Sequence, residues 1–160
     1  MEMHSTKIDL AKGKREKVIE LLNQSLADAM DLKSQAKQAH WNVKGPNFIA
    51  LHELFDQVAT EVEGHVDEIA ERVTALGGTA MGTVRIASEN SSLSQYPLEI
   101  TDGTAHVDAL STAMADFGKK VRKNIDTTDE LGDADTADLY TGISRAMDKL
   151  LWFVEAHNQA

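Results

Sequence analysis

The chain has 160 residues, with 26 acidic against 16 basic side chains and a formal charge of −10. This length can bury one core without disulfides or a structural metal, and the absence of cysteine excludes disulfide scaffolds, thiol nucleophiles and thiolate-held clusters, so any metal must be bound through nitrogen and oxygen. The negative body repels nucleic acid and attracts cations, which favours metal handling over DNA binding.

The opening MEMHSTKIDLAKGKREK lacks the apolar stretch of a signal peptide, and no apolar run approaches a membrane span, so a cytoplasmic protein without membrane attachment is expected. Residues 1–13 are expected to form a flexible tail, and residues 14–160 a single domain. Two prolines, few aromatic residues and abundant Ala, Leu, Glu, Lys and Met predict an all-α fold. A first helix is expected over 14–41, with Val18, Leu22, Leu26, Ala29, Leu32 and Ala36 at helical intervals.

After a turn at Lys44-Gly45-Pro46, a second helix carries Leu51, Phe55, Val58, Val62, Ile69 and Val73 as one stripe until Gly77-Gly78 ends it. A third helix is expected over 103–126 and a fourth over 133–158, with Leu139, Ile143, Leu150 and Val154 facing inward together with Trp152, Phe153 and the methionines. Short loops join the first pair and the last pair, which makes each pair antiparallel. The long connection between helices two and three contains its own apolar residues and a short helix over 83–90. It is expected to cross the bundle, giving a ferritin-like four-helix bundle with one crossover.

Helix two holds two pairs at i, i+4 spacing, His52 with Asp56 and Asp67 with Glu71. At about 100° per residue, Asp56 lies ~40° beyond His52, Asp67 ~20° further and Glu71 another ~40°, so all four share one stripe. That stripe points away from the subunit's own core. A single such pair on an exposed helix is more often a solvated face than a site. The pair centres lie about 22 Å apart along a straight helix, too far to share one ion within a subunit.

Two copies of helix two packed antiparallel about a twofold axis would instead set His52 and Asp56 of one against Asp67 and Glu71 of the other, giving two equivalent sites. His40, at the end of helix one, is placed to join His52 and Asp56. Two imidazoles and three carboxylates suit iron, manganese or zinc without singling one out. None of the six histidines has a glutamate three residues before it, which disfavours the intrasubunit Glu-x-x-His di-iron arrangement. His65 lies off the ligand stripe and reads as structural, while His4, His106 and His157 read as surface residues.

The stretches KQAHWNVKGPNFIALHELFD and HVDEIAERVTALGG closely resemble the Dps family, the small ferritins named for DNA protection during starvation. The likeness continues through YPLEI, TADLY, SRAMDK and LLWFVEAH. The resemblance implies a hollow shell of twelve subunits with 23 symmetry and ferroxidase sites at its twofold interfaces. The family's ligands carry over to His40, His52 and Asp56 of one subunit, with Asp67 and Glu71 of the facing one. It further implies two irons per site, oxidation of Fe(II) preferentially by hydrogen peroxide, and ferric mineral stored in the cavity.

Trp41 resembles the family's tryptophan beside the site, an electron donor for stray oxidising equivalents; packing at a helix end is its alternative role. Acids near the start of the fourth helix also favour its dipole, but the resemblance places this region at threefold pores, with Asp133 and Asp138 as cation-entry residues. DNA binding in the family uses basic tails. Residues 1–17 here hold five basic side chains against three acidic, a net of +2, so a nucleoid-binding structural protein stands as the competing expectation to an iron-oxidising store.

Overall fold

The computed structural model describes residues 3–159. Its helices are α1 (Lys12–Asn42), α2 (Phe48–Ala75), α3 (Val84–Asn90), α4 (Gly103–Glu130) and α5 (Ala134–Glu155). The α1–α2 and α4–α5 hairpins pack on each other through α1 against α4 and α2 against α5, while α3 lies on α1. This is the expected four-helix bundle with a crossover that bears one short helix. Among the described residues no helix is long and apolar enough to cross a membrane.

The stripe on α2 explains why a helix forms where intrinsic preference is weak. Val58, Val62, Ile69 and Val73 are β-branched, each costing a helix up to ~0.7 kcal/mol relative to alanine, but all four are fully buried. Full burial of such a side chain contributes about 1.5–3 kcal/mol, so packing outweighs propensity. Asp102 and Asp133 start α4 and α5, their carboxylates accepting from the backbone N–H of Ala105 and Thr136 at 3.0 Å each.

Polar residues of α1 hold the crossover down. The buried Asp28 carboxylate accepts from the Ser92 backbone N–H at 2.7 Å and from the Ser92 hydroxyl. Asp31 accepts from the Ser91 hydroxyl at 2.6 Å, and the Gln35 amide donates to the Ser94 carbonyl at 3.0 Å.

Several expectations require correction. Trp152 is 60% exposed and Phe153 only partly buried, because Trp152 sits ~200° around the helix from Leu150 and so opposes the core stripe. Of the methionines, Met114 and Met147 are core, whereas Met81 is exposed. His106 is 1% exposed. It falls in line with Leu110, Met114 and Phe117 on the inner face of α4.

The N-terminal segment also differs from a free tail. The helix begins at Lys12, and the described residues before it lie against the end of α2: the His4 N–H donates to the Gly77 carbonyl at 2.8 Å. The buried Arg15 guanidinium donates to the Leu76 carbonyl at 2.7 Å and the Leu10 carbonyl at 3.1 Å. Residues 1 and 2 lie outside the described residues.

Gly77 makes this docking sterically feasible, since its φ is +89° and a Cβ there would come within 2.5 Å of the His4 carbonyl oxygen. Gly77→Ala should therefore destabilise the protein by more than about 1 kcal/mol and expose the segment to trypsin at Lys7. Thermal unfolding together with the rate of tryptic nicking measures both, and an unchanged nicking rate would contradict the docking.

Candidate metal centre

His40 lies in the last turn of α1 and His52 near the start of α2, so the turn between them decides their separation. That turn is pinned by the Lys44 N–H donating to the Thr101 carbonyl at 2.8 Å, with Gly45 taking a φ of +113° that an L side chain would resist. The two rings stack with centroids 3.8 Å apart and planes inclined by 20°. Nδ1 of His40 lies 2.6 Å from the His52 carbonyl oxygen, and Nδ1 of His52 lies 2.8 Å from the His40 carbonyl oxygen.

A carbonyl can only accept, so both Nδ1 atoms must carry hydrogen. Each neutral ring then keeps its lone pair on Nε2, the form in which a histidine binds a metal when its other nitrogen is held by a hydrogen bond.

Asp56, one turn after His52, is half-buried and receives a 2.6 Å hydrogen bond from the Lys37 ammonium. That bond holds its carboxyl below the ordinary carboxylate pKa, against a smaller opposing effect of burial and with help from the Lys37 charge and, when their rings are protonated, from His40 and His52. Two nitrogen lone pairs and an ionised carboxylate are donor types that suit a divalent metal ion, and these three residues are the candidate half-site.

Asp67 and Glu71 are exposed further along the same continuous helix. Among the described residues, no three His, Asp or Glu side chains of one chain gather closely enough to hold a metal ion. An exposed apolar rim surrounds the half-site: Trp41 is 66% exposed, Ile49 61% and Phe48 41%, with the Phe48 ring 5.1 Å from that of His52. Apolar surface of this kind around an incomplete donor set marks a contact face.

Of the two carboxylates expected at a pore, Asp133 is buried at a helix junction. It is 4% exposed, and its carboxylate is occupied by the Arg72 guanidinium at 2.7 Å, the Thr136 N–H at 3.0 Å and the Thr136 hydroxyl at 2.6 Å. It joins the end of α2 to the start of α5, whereas Asp138 is exposed. Two residues absent from the sequence reading matter here: Lys37, three residues before His40 and so on the same helix face, and Arg72, which braces the turn carrying Glu71. His65 is buried with Nδ1 3.0 Å from Glu68, consistent with a structural role.

Residues 19–160 match the ferritin-like domain family. The DNA protection during starvation protein of Agrobacterium fabrum is 48% identical over 159 residues, covering 99% of this chain and 98% of that protein. The chain belongs to the Dps family. Among solved structures, the tetragonal form of Mycobacterium smegmatis Dps superposes with a TM-score of 0.93 at 33% identity, covering 98% of this chain and 96% of that one. DpsA14 from Streptomyces coelicolor superposes at 0.94 and 31% identity, covering 99% and 94%. The five helices of this Dps chain and their crossover are therefore the family's ferritin-like fold.

A metal ion held by Asp56 would have to displace the Lys37 ammonium. Because the pair is partly exposed, it is worth only about 0.2–1 kcal/mol. Lys37→Gln should accordingly tighten Zn(II) or Fe(II) binding by no more than about fivefold, as read by anaerobic calorimetry; weaker binding would show that Lys37 supports the site.

Proposed function

We propose that this Dps-family protein oxidises and stores iron at sites shared by two copies of the chain. His40, His52 and Asp56 of one copy face Asp67 and Glu71 of a second, in a twelve-subunit shell. The reciprocal locking of His40 and His52 carries this reading, because it leaves two Nε2 lone pairs free, one turn of α2 before Asp56, on a part of the chain that exposes apolar side chains. Antiparallel packing of two α2 helices about a twofold axis supplies the missing carboxylates.

The imidazoles and Asp56 hold Fe(II), and the hard carboxylates of the second copy favour the Fe(III) product. Two Fe(II) ions at one site each give one electron to a hydrogen peroxide molecule, which with two protons leaves as two waters. This stoichiometry avoids hydroxyl radical and protects DNA chemically, with the ferric product stored as mineral in the cavity. Trp41, beside the half-site, is a donor for stray oxidising equivalents.

A subunit-mixing experiment tests the shared site. His52→Ala and Asp67→Ala shells should each lose fast Fe(II) oxidation, while shells reassembled from an equal mixture of the two should regain about a quarter of the wild-type sites, since every mixed dimer contains one intact site. Absence of recovery in correctly sized shells would place the site within one chain.

Of Asp133 and Asp138, the exposed Asp138 is the better placed to meet an entering cation. Asp138→Asn should slow iron uptake without altering shell size, as followed by stopped-flow absorbance.

The competing reading, direct DNA binding by basic tails, has less support. The N-terminal segment is docked through His4 and Arg15, and the body is strongly negative. No DNA should be retained in gel-shift assays even at low salt; retention that weakens steeply with salt would favour the DNA-binding role.

A further inference from the structure

Behind the histidine half-site lies a buried pair that the metal chemistry above does not use. Tyr96, in the crossover, is 7% exposed and His106, on α4, is 1% exposed. The Tyr96 hydroxyl lies 2.7 Å from Nδ1 of His106. With the phenol as donor, Nδ1 is the unprotonated nitrogen and Nε2 carries the hydrogen. That Nε2 is sealed from solvent and, among the described residues, has no hydrogen-bond partner at bonding distance, but faces the backbone carbonyls of Asn42 and Ile100.

Asn42 follows His40 by two residues, and the His106 ring lies 6.5 Å from that of Phe55, the neighbour of Asp56. The pair is therefore connected to the half-site through α1 and α2.

Burial raises the pKa of the Tyr96 phenol, so the ring cannot lose its proton to solvent first and then an electron. Burial likewise lowers the pKa of His106, more than Asp102 and the two carbonyls raise it, leaving the imidazole a neutral base. Removing an electron from a buried phenol is costly unless its proton leaves at the same time, and here an acceptor is already in place.

The protein contains an internal comparison. It has only two tyrosines, and the other, Tyr140, is fully buried with its hydroxyl 2.9 Å from the Ser25 hydroxyl. Neither that hydroxyl nor the nearby Asn124 amide is a base able to take its proton.

We propose that Tyr96 and His106 form a proton-coupled electron donor that quenches hydroxyl-type radicals arising near the metal face. In the step, Tyr96 passes one electron to a hydroxyl radical, which becomes hydroxide, and the phenolic proton moves to Nδ1 of His106. The product is a neutral tyrosyl radical beside an imidazolium whose Nε2–H points toward the Asn42 and Ile100 carbonyls. An Fe(II) ion, the protein's own substrate, then returns the electron and becomes Fe(III), while the proton returns to the phenol.

The proposal rests on the iron and peroxide reading for its source of oxidant, so the test has an arm independent of iron. The assembled protein is oxidised either by Fe(II) with hydrogen peroxide or, without iron, by photogenerated tris-bipyridyl ruthenium(III), and freeze-quenched samples are examined by electron paramagnetic resonance. With ruthenium, wild type and Tyr140→Phe should give a tyrosyl signal that narrows with ring-deuterated tyrosine, and Tyr96→Phe should give none.

His106→Gln, which retains a hydrogen-bond acceptor but not a base, should form the radical about 100-fold more slowly. Formation in wild type should also slow in D2O, which a merely structural pair would not produce. Should Tyr96→Phe fail to assemble, fluorotyrosine placed at position 96 must add fluorine splitting to the signal.

A ruthenium-generated signal that survives Tyr96→Phe, its absence from wild type, or an unchanged rate in His106→Gln each overturns the proposal. A Tyr96-dependent signal with ruthenium but none with iron and peroxide upholds the donor pair and locates the failure in the iron and peroxide reading.

Discussion

The hydrogen bonds that His40 and His52 exchange with each other's backbone carbonyls are the contact on which the rest of the half-site depends. They clamp the α1–α2 hairpin at its turn, where two helix termini leave carbonyls or amides without intrahelical partners. They also select the tautomer of both rings. Folding of the hairpin and preparation of the nitrogen donors are thus one event: the bonds that fix the turn are those that leave Nε2 free. The Lys44 to Thr101 bond extends this coupling to the crossover, so the distance between α1 and α2 is set from both sides.

Around that lock, charges are balanced by position more than by number. Lys37 keeps Asp56 ionised, and one turn earlier Lys33 pairs with Glu63, so the outward face of α2 is neutralised locally along α1. At the far end of α2, Arg72 is committed to the buried Asp133 and to Thr136. The adjacent Glu71 therefore stands on a braced turn while its own side chain remains in solvent. Although the chain carries a net charge of −10, the carboxylates on this face of α2 differ sharply: Asp56 is shielded by an ammonium, while Asp67 and Glu71 stand open to solvent.

Much of this was legible in the sequence because helical periodicity is a strong signal when it runs over many turns. Every residue of the stripe from Leu51 to Val73 is buried as the spacing requires. The same arithmetic places Trp152 outside the core and His106 within it. Residue type alone assigns the aromatic to the core and the histidine to the surface, whereas their angular positions carry the better information. Asp133 shows a different limit: its carboxylate is claimed by Arg72, some sixty residues away in sequence, and no local pattern announces such a partner. The segment before Lys12 looked free because its anchor, the Gly77 carbonyl, belongs to a remote helix end.

The two Nδ1–H groups bear on how such a site tolerates acid. A proton added to either imidazole goes to Nε2, and Nδ1 remains a donor in the cationic ring. The carbonyls of His40 and His52 keep their hydrogen bonds, now charge-assisted and stronger. On the proposed site, protonation would act at one edge of each ring while the hairpin bond at the other edge is kept. Release of a bound ion and loss of the turn would then be separate events, and the emptied hairpin would keep the shape needed to be refilled.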